Sequence, residues 1–159
     1  MEIGKAVIIF FATYAGYLLM GGLLVFLLRG WKKHIVLVLQ MIVAAILSRG
    51  VITEAIRLVW HRARPFVEQN FVPIIPHANS ASFPSGHATF FFAVGTVLYL
   101  YNKKAGMAFL LGSALIGIAR VLAGVHWPSD IVWGALIGVA CGLAVSKFAI
   151  LYSKRSHAN

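Results

Sequence analysis

The first apolar stretch of the chain runs from Ala6 to Leu28 and contains 23 residues, none of them charged. At 1.5 Å per residue, a helix of this length crosses a hydrocarbon core about 30 Å thick. A cleavable signal peptide is the alternative, but its apolar region is about 7–15 residues long and precedes a small-residue cleavage site. The stretch therefore predicts a transmembrane helix, and the rest of the chain must be compatible with a membrane.

Four further apolar stretches follow, so the predicted spans are residues 6–28, 35–60, 85–101, 105–123 and 129–152. Hydrophobic residues make up 60% of the chain and charged residues 11%, against about 25% charged in soluble domains. These features exclude a cytosolic enzyme and predict an all-α polytopic membrane helix bundle that forms a single domain over residues 1–159. The lone Cys141 excludes a disulfide framework and a cysteine metal site.

The net charge of +10 would suggest nucleic acid in a soluble protein, but the positive-inside rule accounts for much of it here. We therefore predict a membrane partner and no nucleic acid. In a five-span topology the following basic residues fall on one side, which should be cytoplasmic together with the C-terminus: Arg29, Lys32, Lys33, Lys103, Lys104, Lys147, Lys154 and Arg155. The opposite side should face the periplasm or the exterior.

Several basic residues at that outer end break the charge bias and are candidates for capturing an anion. Binding to lipid head groups is the simpler alternative. One outer segment is Pro84-Ser85-Gly86-His87, which begins the third span. Ser85 fits an N-cap, and a helix N-terminus with a close-approaching glycine favours phosphate. Capping by Ser85 and an interfacial role for His87 remain the alternative.

A second outer segment contains Arg120, His126 and Asp130. If the fifth span begins near Pro128, Asp130 lies one helical turn from His126. A carboxylate there would fix the imidazole tautomer, leave the other ring nitrogen free as a nucleophile and stabilise developing positive charge. The alternative is that Ser129 or Asp130 only caps the helix.

A third segment places four polar residues at helical spacing in the second span, a face that should point to the bundle interior or a water-filled cavity: Arg49, Thr53, Arg57 and His61. Glu54 is three residues before Arg57 and should pair with it. Arginine suits phosphate because its planar fork donates two parallel hydrogen bonds. Arg62 and Arg64 could instead reach lipid head groups.

Together these segments, within residues 49–133, resemble the type 2 phosphatidic acid phosphatase (PAP2) or lipid phosphate phosphatase superfamily, in particular its small bacterial undecaprenyl-diphosphatase-like members. Arg57 and Arg64-Pro65 match the first family pattern, and Pro84 to His87 match the second in full. The third is matched by Arg120, His126 and Asp130, in the family's order and spacing.

The sequence departs from the family in two places and has one span fewer than the common six-span members, so the N-terminus should lie outside. Arg57 stands where the family usually has lysine, and Ala119 where it usually has serine. The resemblance implies retained chemistry with an altered rate or substrate preference.

The resemblance implies metal-independent hydrolysis of a lipid phosphate or diphosphate, without a cofactor. His126 would be the nucleophile that forms a phosphohistidine, Asp130 would orient it, and His87 would be the general acid. The phosphoryl oxygens would be held by Arg57, Arg64, Arg120 and backbone N–H groups near Ser85 and Gly86. Undecaprenyl diphosphate is the first candidate substrate, while transfer to another acceptor and transport of a phosphorylated lipid remain alternatives. The oligomeric state stays open.

Overall fold

The computed structural model describes residues 2–156, which are helical apart from their connections; Met1 and residues 157–159 lie outside this part. The long helices are α1 (Glu2–Leu28) and α2 (Trp31–Val59). One short turn, α3 (Pro65–Glu68), interrupts the loop that follows. The remaining helices are α4 (Gly86–Tyr101), α5 (Lys103–Leu122) and α6 (Pro128–Ser156).

Four of these helices are long and apolar enough to cross a membrane, and α4 is a shorter apolar helix of 16 residues. Large apolar side chains lie exposed along the outside of the bundle, among them Leu18, Leu39, Leu111 and Phe148. Exposed apolar surface on this scale requires lipid as the surrounding solvent. The prediction of an all-α membrane helix bundle is confirmed, and the chain is an integral membrane protein.

The helix ends follow local sequence signals. Asn102 caps α5, since its side chain accepts a hydrogen bond from the Ala105 N–H at 3.0 Å. Pro128 begins α6 at the position expected for a first-turn proline. However, α2 ends at Val59, before His61, which lies exposed in the loop. The prediction that His61 shares a helix face with Arg57 is therefore wrong.

α1 and α2 each contain a wide π-helical turn, at Phe10–Tyr14 and Ile46–Ile52. The second turn is joined to α4 by buried hydroxyl groups. Ser48 Oγ donates to the Thr89 carbonyl at 3.3 Å, and the hydroxyl groups of Thr53 and Thr89 lie 3.1 Å apart. Such turns change which way the neighbouring side chains point and are frequent at functional sites. Arg49 lies in this turn.

α4 runs through the centre of the bundle and packs closely on α6. The contact face of α6 carries a stripe of small residues, Gly134, Gly138 and Gly142. A Cβ at position 138 would lie 2.6 Å from the Thr89 carbonyl oxygen and 2.9 Å from the Ala93 nitrogen. Glycine therefore permits the two backbones to approach, as in other membrane helix pairs with small residues every fourth position.

The two ends of the bundle differ. At one end His34 stacks on Phe26 and meets the Tyr101 ring edge-on, which joins the α1–α2 turn to the α4–α5 turn. The basic residues of those turns therefore share one end. At the other end, the long loop between α2 and α4 meets the short α5–α6 connection, and the Ile74 N–H donates to the Ala123 carbonyl at 3.0 Å.

Candidate active site

A cavity of about 440 Å³ opens at the loop end of the bundle. It brings together residues from all three motif segments, which lie up to 69 positions apart between Arg57 and His126. Its lining consists of Arg49, Arg57, Arg64, His77, Ser80, Gly86, His87, Phe90, Phe91, Arg120 and His126. The cavity is therefore strongly cationic on one side and aromatic on another.

His126 and Asp130 form a buried pair beside this cavity, with 2% and 0% of their surfaces exposed. The His126 Nδ1 lies 3.3 Å from Asp130 Oδ2. The same carboxylate oxygen accepts the Trp127 backbone N–H at 2.9 Å. Asp130 thus both satisfies the first free N–H before α6 and orients the imidazole, so capping and orientation are not alternatives.

Arg64 fixes which nitrogen of His126 carries the proton. Its Nη1 lies 3.3 Å from His126 Nε2, and a guanidinium can only donate. Nε2 must therefore accept, which leaves the proton on Nδ1 for donation to Asp130. Nε2 therefore bears the lone pair, and a group that replaced Arg64 at this nitrogen would meet it.

The Arg64 side chain is only 2% exposed and is held by carbonyl groups of Ser80, Ala81 and Val125 and by the Ser80 hydroxyl. Burial, with Arg57 and Arg120 nearby, lowers the pKa of Arg64 to about 10. Arg64 therefore remains a cation at neutral pH. Burial also lowers the pKa of His126 to about 4, with Arg64 and Arg120 adding to the effect, so the imidazole is neutral there.

The other two arginines enter the cavity from different helices. Arg57 donates from Nη1 to Glu54 at 3.3 Å, as the spacing predicts, and from Nη2 to the Pro84 carbonyl at 3.0 Å. Arg120 donates from Nη1 to the Ala12 carbonyl at 3.1 Å. The buried Nε groups of both arginines have no partner among residues 2–156. Both guanidiniums retain donor capacity for an anion.

Only part of the Pro-Ser-Gly-His segment contributes to the cavity. Gly86 and His87 line the cavity, and His87 also borders a smaller cavity of about 170 Å³ between α1 and α4. Ser85 stands at the N-cap position but makes no side-chain cap, and its hydroxyl is buried without a partner in the described part of the chain. Its backbone N–H donates to the Asp130 carbonyl at 3.0 Å and is therefore not free to bind an anion, and Ser85 is not among the residues that line the cavity.

Ala119, one of the two departures from the family pattern, also lies away from the cavity lining. It is buried in an apolar cluster with Ala12, Ala123 and Val125. A serine hydroxyl at this position would have to leave that cluster to reach an anion. The other departure, Arg57, lies in the cavity wall itself.

Arg62 pairs with Asp130, a contact that the sequence did not predict. Its Nη1 donates to Asp130 Oδ1 at 3.0 Å and to the Ser129 hydroxyl at 2.7 Å, and its guanidinium lies over the Trp127 ring at 5.3 Å. This ion pair compensates the negative charge of the buried Asp130 carboxylate at Oδ1, the oxygen that does not face His126. A basic residue two positions before Arg64 was visible in the sequence, but only the fold brings it to Asp130.

Arg49 and His77 are further cavity residues outside the three motifs. Arg49 pairs with Glu54 from within the wide turn of α2. His77 comes from the long loop, with its ring centroid 6.2 Å from that of His126. Burial, with the three motif arginines nearby, lowers the pKa of His77. Within residues 2–156, no group of three or more His, Cys, Asp or Glu side chains could hold a metal ion.

The fold and the site define a class: polytopic membrane proteins in which a buried His–Asp pair lies beside an arginine-lined cavity. The chain belongs to the PAP2 superfamily, whose family model matches residues 34–151. This confirms the resemblance inferred from the three motif segments. Relatives of the chain in this family are named as phosphatases, and the prediction of a phosphoric-ester hydrolase is confirmed at the level of the family.

Named relatives and a solved structure agree with this assignment. The "Bacitracin transport permease protein BcrC" of Bacillus licheniformis is 33% identical over 87% of this chain and 68% of its own length. The "Undecaprenyl-diphosphatase BcrC" of Bacillus subtilis is 34% identical over 64% of this chain and 52% of its own length. The chain thus spans about half of the second relative.

The crystal structure of Aquifex aeolicus LpxE superposes with a TM-score of 0.77 at 30% identity, covering 92% of this chain and 87% of that one. The similarity therefore extends over nearly all of both chains, beyond the segment that carries the three motifs.

Proposed function

We propose that the chain hydrolyses the terminal phosphate of a membrane lipid phosphate or diphosphate through a phosphohistidine on His126, with undecaprenyl diphosphate as the first candidate. The observation that carries this proposal is the pair of contacts that the two ring nitrogens of His126 make, from which its tautomer follows. Its Nε2 accepts from Arg64 while its Nδ1 faces Asp130 Oδ2. A neutral imidazole with its lone pair beside an arginine-lined cavity is the arrangement that a nitrogen nucleophile needs.

In the first step His126 Nε2 attacks phosphorus and the bond from phosphorus to the leaving oxygen breaks. Asp130 stabilises the positive charge that develops on the imidazole. His87 donates a proton to the leaving oxygen. Because His87 lies on the same helix as Phe90 and Phe91, the leaving oxygen would lie near the aromatic part of the cavity wall. Arg57, Arg64 and Arg120 hold the phosphoryl oxygens, and Arg64 exchanges its hydrogen bond with His126 for one with the phosphoryl group.

In the second step a water attacks phosphorus, the bond to Nε2 breaks and inorganic phosphate leaves. His87, now neutral, accepts the proton of that water. Release of phosphate returns His126 to its neutral form and His87 to its protonated form. A phosphohistidine can also be discharged to a hydroxyl group other than water, so phosphate transfer to an acceptor is the nearest alternative.

An amphiphilic substrate fits the surroundings of the cavity. Phe90 and Phe91 form part of its wall, and the smaller cavity beyond His87 is bordered by Tyr17, Met20 and Ile116. A lipid tail could lie in that apolar crevice while its phosphate meets the arginines. The name of the Bacillus subtilis relative, an undecaprenyl-diphosphatase, supports a polyprenyl substrate.

We further propose that the site faces the periplasm or exterior, with the C-terminus in the cytoplasm. The supporting observation is the clustering of Arg29, Lys32, Lys33, Lys103 and Lys104 in the turns at the other end of the bundle. The positive-inside rule assigns that end to the cytoplasm. Labelling of single introduced cysteines in intact cells, one in each end, would test the orientation.

Phosphate release by the purified protein in detergent tests the proposed reaction. The assay compares wild type with His126→Ala on a panel of lipid phosphates and diphosphates, with chelator present. We expect release by wild type and none by the variant, together with loss of an acid-labile phosphoenzyme. Surviving turnover in His126→Ala would show that the nucleophile is another group.

The same assay separates the alternatives. Binding of a lipid phosphate without release of phosphate would favour transport of the phosphorylated lipid. Release only when an alcohol acceptor is added would favour transfer. Loss of activity in chelator that magnesium restores would contradict the metal-independent reaction.

A further inference from the structure

Arg49 lines the cavity, as predicted for the polar face of the second span, although it is not part of the three family patterns. It precedes Arg57 by eight residues, which corresponds to about 12 Å along a helix and places it deeper in the membrane. An arginine at that depth is costly unless it faces a polar cavity and has a task there. The wide turn Ile46–Ile52 contains Arg49 and is bonded to α4 through Ser48.

The charge around Arg49 is not balanced. Its partner is Glu54, the same carboxylate that pairs with Arg57. One carboxylate shared by two guanidiniums leaves one positive charge in excess. The Arg49 side chain is also 40% exposed, so its remaining donors are open to a ligand.

The position of Arg49 depends on Gly86. A Cβ at residue 86 would lie 2.8 Å from Arg49 Cδ and 3.0 Å from its Cζ. The absence of a side chain at Gly86 therefore makes room for the guanidinium at the first turn of α4. There Arg49 lies next to the residue that precedes His87.

In the reaction proposed above, His87 protonates the leaving oxygen. When the substrate is a diphosphate, that oxygen belongs to the second phosphate, which remains attached to the lipid. The second phosphate must therefore lie at the first turn of α4 while the transferred phosphoryl group lies among Arg57, Arg64 and Arg120. A monophosphate has only the alcohol oxygen of its lipid at that place.

We propose that Arg49 binds the lipid-linked phosphate of a diphosphate substrate and makes the enzyme prefer diphosphates over monophosphates. This inference rests on the proposed function. In the step concerned, the bond between the terminal phosphorus and the bridging oxygen breaks and the proton from His87 goes to that oxygen. The lipid monophosphate leaves, with Arg49 compensating the charge that builds up on it.

The test uses two substrates with the same tail, farnesyl diphosphate and farnesyl phosphate, and measures kcat/KM from phosphate release in detergent. For Arg49→Gln we expect kcat/KM for the diphosphate to fall about 10- to 100-fold, the range for one charge-assisted hydrogen bond. For the monophosphate we expect kcat/KM to change by less than about 3-fold, as for a substitution of a residue that does not contact the substrate. Arg49→Lys keeps the charge and should recover part of the loss.

Two features keep the test specific. Glu54 retains Arg57 as a partner when Arg49 is replaced, so no carboxylate is left unpaired. Arg29→Gln, at the exposed turn at the opposite end, makes the same change in net charge and should leave both substrates unaffected.

Equal losses for both substrates in Arg49→Gln, or no loss for either, would overturn the subsite while leaving the phosphatase proposal intact. Hydrolysis of neither substrate by the wild type would instead contradict the proposed function itself.

Discussion

Replacing Asp130 with asparagine removes a charge from the site while keeping the shape of the side chain. Asp130 Oδ2 accepts from the Trp127 N–H and faces His126 Nδ1, and Oδ1 accepts from Arg62. An asparagine oxygen can serve only one of these two sides. If it serves Trp127 and His126, its NH₂ group faces the Arg62 guanidinium, and two donors meet. If it serves Arg62, the part-buried Trp127 N–H loses its acceptor and the NH₂ group faces the buried Nδ1–H of His126.

The first orientation should prevail, because Arg62 is 30% exposed and can turn to water, whereas a buried unpaired N–H costs about 1–3 kcal/mol. The introduced asparagine then still orients His126 but no longer stabilises a positive imidazole. With Nδ1 and Oδ2 3.3 Å apart, the charge centres are separated by roughly 4 Å. At an effective dielectric constant of about 20, this interaction is about 4 kcal/mol, which corresponds to roughly a 10³-fold slower reaction.

The assay is the single-turnover rate of phosphoenzyme formation, measured beside the melting temperature in detergent. Ser129→Ala is the matched control, because it removes the other contact of Arg62 without touching His126. We expect it to stay within about 3-fold of wild type. A rate for Asp130→Asn within about 10-fold of wild type would refute the assignment of Asp130 to charge stabilisation. A loss of folded protein as large as the loss of rate would make the capping bond to Trp127 its main role.

Three further predictions follow from the same geometry. His87→Ala should slow hydrolysis of an alkyl phosphate far more than that of an aryl phosphate, because a good leaving group needs no proton; equal slowing in a comparison of the two rates would contradict a general acid at this position. Because the pKa of His126 is about 4, activity should be lost on acidification near pH 4 and not near pH 6.5, and a pH profile of kcat/KM with an acid limb at pH 6.5 would refute this. For the same reason the free energy of unfolding should rise with pH between about 4 and 6.5, since in this range only the unfolded chain binds the proton. Gly138→Leu should destabilise the bundle by at least about 1–3 kcal/mol, because any side chain there meets the α4 backbone, and an unchanged melting temperature would exclude the close α4–α6 approach.

Much of the fold was predictable because lipid imposes a simple rule. Every backbone polar group in the hydrocarbon must bond within its own segment, so long apolar stretches are necessarily helices. The apolar stretches 6–28, 85–101 and 105–123 are helical in the structure, in α1, α4 and α5, although α4 is shorter than the four candidate spans. His61 is an exception. Its spacing from Arg57 predicted that the second helix continues to His61, but α2 ends at Val59 and His61 lies in the loop.

The small-residue contact between α4 and α6 was present in the sequence as glycines at every fourth position, Gly134, Gly138 and Gly142. Spacing of this kind indicates a helix contact, but it does not name the partner helix. The wide turn at Ile46–Ile52 had no such signal, because its geometry depends on the hydroxyl contacts with α4.

The sequence by itself determined a membrane helix bundle and which residue types, at which spacing, could hold and attack a phosphate. Spacing along one helix is enough to bring His126 and Asp130 together, because residues four apart are neighbours. Tertiary structure alone decided the tautomer of His126, through Arg64 from a loop 62 positions away, and the pairing of Arg62 with Asp130 across 68 positions. It also left Ser85 outside the cavity lining and brought His77 of the long loop into it, since contacts between distant segments depend on how helices pack and have no periodicity in the sequence.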